Sequence, residues 1–351
     1  MHPHLNPGPK TILGLSLLWI ALSVPASSAA QSALAPASAG ALKSMSLDVA
    51  VTDKSGKPAA GLAQGDFTLL DNGQPVKLSS FQATDSAANA VAFLVFDAVN
   101  VTVNDVANER IAVAKYLRQN GGKLPMPISI LVFTNKGITS QIPASTDGND
   151  LAAKVDALTG NFPTITDDAG TNGTQERYDV SVNTFMTMVH AAKAIPGKKE
   201  IIWLGHGWPM LENLNPQMVM KIEQHVFDSL VEALNQMREE HLTLYTAEMG
   251  APDETTYRYQ SYVKGVKAAK KTNYSNLTVK VLAVDSGGQV LGPDNDLGGQ
   301  IEKALSDAGN FYTLSFDAPH ATAADEYHEL KVQLGKSGLI ARTSTVYYAQ
   351  P

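Results

Sequence analysis

The chain has no cysteine. Disulfide bridges are therefore excluded, and any fold must be held by its apolar core alone. Thiolate metal centres are excluded too, and no His-Glu-x-x-His or paired Cys/His spacing offers a zinc site. Nor is there a Gly-x-Ser-x-Gly elbow to present a hydrolase nucleophile. Gly122-Lys123 and Gly197-Lys198 lack the upstream glycine and the following hydroxyl of a phosphate-binding loop. No Gly-x-Gly-x-x-Gly opens a helix after the first apolar strand, which argues against a dinucleotide site. No basic stretch alternates with aromatics, so nucleic acid is not an expected partner. The net charge of −7 favours solubility and says little more.

One apolar run stands out at the start. Lys10 precedes "TILGLSLLWIALSV", and Ser28 and Ala30 supply a small-x-small cleavage pattern before Gln31. A run this short falls below the roughly 20 residues of a membrane span. Residues 1–30 are thus expected to be an export signal, and the mature protein to be periplasmic or secreted, with no membrane span. A cysteine-free exported chain points to a bacterial envelope or secreted protein. Residues 31–43, rich in Ala, Ser and Pro, read as a flexible leader.

The remaining chain, in a sequence that is 44% hydrophobic and 17% charged, changes texture twice. Residues 44–85 hold short alternating strands such as "LDVAVTD", with the hairpin dipeptide Asn72-Gly73. Residues 86–309 alternate apolar strands with amphipathic helices. Strands are predicted at Val91–Asp97, Ile128–Thr134, Thr139–Ile142, Glu200–Gly205, Leu242–Thr246 and Val279–Val284. Helices are predicted at Asn104–Gln119, Asp150–Leu158, Gln175–Ala194, Pro216–Glu240, Thr255–Lys271 and Leu297–Ala308. In the longest, Val219, Ile222, Val226, Leu230 and Leu234 share one face. Strands fed by helices imply a mostly parallel sheet covered on both faces. Residues 310–351 return to strands. Neither strand region buries enough apolar surface to stand alone. The expected fold is therefore an α/β domain, 86–309, inserted in one small β-sandwich built from 44–85 and 310–351.

The order of "LDVAVTDKSGKPAAGLAQGDFTLLDNGQP", "FLVFDAVNV", "KKEIIWLGHGWP", "SGGQVL" and the strand-rich tail resembles the von Willebrand factor type A superfamily. Within it the chain is most similar to an exported bacterial branch of the kind frequent in Acidobacteria. The resemblance implies a doubly wound sheet with ligands bound at the carboxyl ends of its strands. It also implies a metal-ion-dependent adhesion site: an Asp-x-Ser-x-Ser loop, a distant threonine and a Thr-Asp-Gly. Here that loop reads Asp97-Ala98-Val99-Asn100-Val101, and His206 stands where the second aspartate belongs. Thr171, with Thr174 as a rival, matches the threonine. Magnesium wants about six oxygens, and two hydroxyls and a carboxylate are missing. The site is degenerate, so no divalent cation and no other cofactor is expected; any residual cation would fall to Asp97 and Thr171.

The resemblance places Asp97 beside His206. Either the two form a charge-assisted pair that raises the histidine's pKa, or Asp97 caps nearby amides while His206 faces solvent. Trp208 is either an exposed partner anchor or core. His190, His225, His241 and His328 read as isolated, satisfied or solvent-facing. The glycine-rich "DDAGTNG" at 167–173 reads as a calcium loop or as a solvated approach to a helix. The leading functional expectation is a non-enzymatic binding module for a protein or cell-envelope component, acting through a rim of Asp97, Asn100, Thr171, His206 and Trp208. Two other classes stay open: a structural or assembly part acting through the sandwich, and a hydrolase.

Overall fold

In the computed structural model the described residues are 44–85, 87–158, 165, 170–211, 219–252 and 256–351. The expected export signal and leader lie outside them, as do Asp167–Ala169 of the glycine-rich stretch. The described residues belong to one compact unit, Leu42–Pro351. Among them no helix is long and apolar enough to cross a membrane.

A mostly parallel sheet of six strands forms the centre. Its members are β5 (Ala90–Asp97), β6 (Lys123–Thr134), β7 (Gly137–Asp147), β8 (Lys198–Leu204), β9 (Leu242–Met249) and β10 (Val290–Asp294). Their order is β10-β9-β8-β5-β6-β7, with only the β6–β7 pair antiparallel. The alternation of side chains along each strand splits the core in two. Leu94, Phe96, Ile130, Ile202 and Leu204 pack on α1 (Val103–Leu117), α2 (Gly148–Asp156) and α6 (Leu297–Ala308). Val95, Leu131, Phe133, Ile201 and Trp203 pack on α3 (Gly170–Ala192), α4 (Val219–Glu239) and α5 (Val279–Asp285). From β5 the chain crosses to β6 on one side and returns to β8 on the other. A crevice opens at such a reversal, outside the carboxyl ends of the strands.

Two antiparallel sheets complete the fold. One has the order β13-β1-β11-β4, from β1 (Ser44–Asp53), β4 (Leu78–Thr84), β11 (Phe311–Asp317) and β13 (Leu339–Arg342). The other has the order β14-β12-β2-β3, from β2 (Phe67–Asp71), β3 (Gln74–Val76), β12 (Glu326–Leu334) and β14 (Val346–Ala349). Each sheet thus mixes strands from both chain ends. Leu47, Leu69, Phe316, Leu330 and Tyr347 fill the space between them. Asn72 and Gly73 both adopt positive φ, 49° and 78°, and turn β2 into β3. That conformation is what the Asn-Gly pair supplies.

Two predicted elements are wrong. Residues Val279–Val284 are not a strand but most of α5; the fifth parallel strand is β10. Val279, Lys280, Val281, Leu282 and Ala283 are all buried. A helix surrounded on every side shows no apolar stripe, so its β-branched residues read as a strand. The helix expected at Thr255–Lys271 is, over its described part, turns with short 3-10 pieces at Arg258–Ser261 and Ala269–Lys271. Its tyrosines are indifferent helix formers. Gly265 also presses against Tyr327, whose hydroxyl would lie 2.2 Å from an added Cβ.

Candidate functional site

Asp97 ends β5 and is fully buried. Its Oδ1 accepts the backbone N–H groups of Val99 (3.0 Å) and Asn100 (2.9 Å). Its Oδ2 accepts Asn100 Nδ2 (2.8 Å) and Trp203 Nε1 (2.8 Å). Burial raises its pKa above the ordinary carboxylate range, and these four donors offset that only in part. The carboxylate therefore organises the loop into α1, where Thr102 and Asp105 form a reciprocal cap. Replacing Asp97 with alanine would leave two backbone amides and an indole N–H without their acceptor. At about 1–3 kcal/mol per stranded buried group, Asp97→Ala is expected to cost at least about 3 kcal/mol in urea unfolding. Wild-type stability in that variant would contradict this role.

The Asp97–His206 pair does not form. His206 Nδ1 instead lies 2.5 Å from Glu248 Oε1, at the end of β9. Lys280 Nζ, on α5, donates to the other oxygen at 2.8 Å. Asp97 is closed off beneath the loop by its own four donors, whereas Glu248 reaches the surface layer through His206. Its hydrogen bond to Glu248 raises the His206 pKa against the opposing effect of burial. Burial pushes Glu248 up, but its bonds and charges from His206 and Lys280 together hold it below the usual carboxylate range. Of the lone histidines, His190 pairs with Glu232, His241 with Asp48 and His328 with Asp71, while His225 is exposed.

Trp208 is not an exposed anchor. It is 5% exposed, edge-on to Trp203 (5.3 Å) and Phe185 (5.5 Å). Two aromatic side chains offer its indole more apolar contact than solvent could. Thr171 is exposed in the first turn of α3 and does not line the crevice. Thr174 Oγ1 donates to Gly170 O within that helix.

The crevice itself is a cleft of about 690 Å³. Its walls are the loop after β5 (Val99–Val103), the loop after β8 (His206–Met210) and the start of α5. Gly205 sets the mouth: at φ +112° its added Cβ would lie 2.7 Å from Val101 Cγ1. Among the described lining side chains, Arg177, His206, Arg258 and Lys280 are basic and Asp105 is acidic. Among the lining residues, Trp208 Nε1 and Asn100 Oδ1 are buried without a hydrogen-bond partner among the described residues. Val103 and Tyr257 are 59% and 57% exposed.

The residues present do not suit a divalent cation. Both Asp97 oxygens are occupied by N–H donors, and valines 99 and 101 offer no side-chain oxygen. Lys280 and His206 bring positive charge to the same mouth. Among the described residues no three His, Asp or Glu side chains group to hold a metal.

Sequence reasoning missed Glu109, Glu248 and Lys280. Glu109 is buried on α1 with Oε2 unpartnered, and burial followed by the Asp97 charge raises its pKa well above the ordinary value. Each has a signal: an acid on the apolar stripe of Val106 and Val113, and lone charges in "LTLYTAEM" and "VKVLAV".

Neither a protein-family model nor a curated protein matches the chain. Solved structures similar to it include the human COPII-coat protein Sec24c, at TM-score 0.35 and 8% identity, covering 77% of this chain and 44% of that one. The pilus adhesin SpaC from Lactobacillus rhamnosus GG has TM-score 0.34 and 9% identity, covering 84% and 49%. The TFIIH p34 N-terminal domain has TM-score 0.29 and 9% identity, covering 63% and 98%. The chain thus spans less than half the length of the first two.

Proposed function

We propose that the protein is an exported, non-enzymatic binding module of the von Willebrand factor type A kind, its adhesion site degenerate. It docks a protein or cell-envelope partner at the cleft outside β5 and β8, without a divalent cation. The observation that carries this reading is the cleft's unfinished surface. Val103, on its wall, and Tyr257, next to the lining residue Arg258, expose apolar side chains. Exposed apolar side chains at the edge of a cleft mark surfaces that a partner covers.

The test is capture of a partner from envelope extract by the immobilised mature chain. Val103→Asp with Tyr257→Asp is expected to weaken capture at least tenfold, while a chelator leaves it unchanged. Undiminished capture by the double variant, or loss in chelator, would overturn the reading. A second reading, assembly through the sandwich, is favoured by Ile340, 49% exposed on β13, which ends its sheet. Under that reading Ile340→Asp abolishes capture and the cleft variant does not.

A further inference from the structure

We infer that the protein forms a two-fold dimer, in which the lysine-rich segment 264–271 of one copy lies in an acidic groove of the other, and the reverse. None of the residues involved lines the cleft, so this surface is separate from the docking role proposed above.

The sequence supplies the positive half. From residue 255 to residue 284 there is no Asp or Glu, in a chain whose net charge is −7. Lys264, Lys267, Lys270 and Lys271 fall in this stretch, and all four are exposed. No aromatic falls among them, so the stacking platform of a nucleic-acid groove is absent. Among the described residues none of the four joins an ion pair; Lys267 Nζ lies 5.3 Å from the centre of the Tyr327 ring. The segment has little regular structure, yet it is held in place. Val266 and Thr272 are buried, and Val266 O accepts Tyr348 Oη at 2.9 Å. Lysines on a fixed strap cost an interface less ordering entropy than lysines on a free loop.

The negative half is a groove of about 510 Å³ lined by α4 and β14. Asp228, Glu232 and Glu239 enter it from α4 and Asp325 from the turn before β12. Arg238 is the basic residue among the described lining, and it is tied to Glu239. Glu232 faces the exposed His190, while Asp228 and Asp325 accept amide donors, from Gln224 and Gln350. The groove therefore keeps an excess of negative charge. Pro319 and Ala349 add apolar wall of the kind that lysine stems cover. The Arg238 side chain is 5% exposed, and its Nε–H has no acceptor among the described residues. A main-chain carbonyl entering the groove would supply one.

Tyr348 joins the two surfaces. It lines the groove, and its hydroxyl holds Val266 O in the middle of the lysine segment. Opposite patches side by side on one chain, with no ion pair linking them among the described residues, are self-complementary. A second copy, turned about a two-fold axis between the patches, lays each on its opposite. That is an isologous contact, in which one residue meets another and the exchange is returned. A foreign polyanion would suit the lysines but be repelled by the groove, and a foreign polycation the reverse. The chain itself carries both halves, and matched potentials of this kind fix register and exclude wrong partners.

The experiment is sedimentation equilibrium of the mature protein at about 0.01 M and about 1 M salt, between which the screening length falls from about 30 to about 3 Å. A dimer is expected at low salt and should weaken at high salt. Two charge reversals are then made separately: Lys264→Glu with Lys270→Glu, and Asp228→Lys with Glu232→Lys. Each sets like charges face to face and should raise the dimer dissociation constant by on the order of a hundredfold. All four residues are exposed, so circular dichroism should not change. An equimolar mixture of the two variants is the deciding arm. There the reversed segment of one meets the reversed groove of the other, and the native segment meets the native groove, so dimers should return. A wild type that stays monomeric at low salt, a dimer indifferent to salt, a dimer that survives either reversal, or a mixture that stays monomeric would each overturn the inference. Should one variant lose its native spectrum, the other variant and the salt series still decide.

Discussion

A chain cut after Phe316 is expected not to fold at all. The cut removes β12, β13 and β14, and with them more than a tail. The sheet β14-β12-β2-β3 is reduced to the β2–β3 hairpin, and β1 loses β13. An isolated two-stranded hairpin is marginal in water. Leu330, Val346, Tyr347 and Tyr348, all under 5% exposed, disappear from the core. At about 1.5–3 kcal/mol for each large apolar side chain, their loss alone approaches the roughly 5–15 kcal/mol that holds a typical domain together. The cut also strands Asp71, a buried carboxylate that accepts Tyr347 Oη (2.8 Å) and faces His328 Nδ1 (2.7 Å). Breaking one side of such a buried cluster costs several kcal/mol more.

The damage would reach the central sheet. Tyr348 Oη donates to Val266 O, its backbone N–H donates to Asn235 Oδ1, and its ring meets Phe227 edge-on. Thr345 Oγ1 donates to Asp285 Oδ1 at the end of α5. The last strand therefore clamps α4 and α5 as well as β12. Limited proteolysis with mass spectrometry checks this. Residues 44–85 should become cleavable within the truncated chain at rates near those of the urea-unfolded protein. Persistent protection of that segment would mean that β1–β4 fold without their C-terminal partners.

How far the sequence foretold this depends on what each residue's neighbours are. Elements with one buried face were legible: β1, where Leu47, Val49 and Val51 point inward, and α6, with Leu297, Ile301, Ala304 and Leu305 on one side. The Asn72-Gly73 turn was legible because its conformation is set locally. α5 was not, because burial on all sides erases the period that separates helix from strand. The site divides in the same way. Asp97 announced itself by ending an apolar strand, and its caps lie within three residues. Its contact with Trp203, 106 residues distant, and the meeting of His206, Glu248 and Lys280 come from the order of parallel strands. Whether His206 had an acid at all, and that the acid is Glu248, could not be read until the neighbour of β8 was known to be β9.

The second large effect lies at the opposite end of β8. Glu200 is fully buried on that strand, and neither carboxylate oxygen has a hydrogen-bond partner. Burial raises its pKa to about 8; nearby Lys198 and Arg342 lower it and Asp307 raises it. The folded chain therefore keeps a proton on Glu200 at pH values where the unfolded chain, at the ordinary 4.5, has released it. Between those values the native state binds more protons, so stability falls as pH rises. The loss begins near 4.5 and levels off above about 8. At about 1.4 kcal/mol per pH unit, the full penalty is on the order of 5 kcal/mol. Glu200→Gln keeps the shape of the protonated acid and removes the titration. Its urea midpoint should match the wild type near pH 5 and exceed it near pH 9 by most of that penalty. The other buried acids, Asp285 among them, titrate in both proteins and cancel in the difference. Parallel pH profiles for the two proteins would show that Glu200 is already ionised in the folded state, with Lys198 and Arg342 supplying the charge that burial withholds.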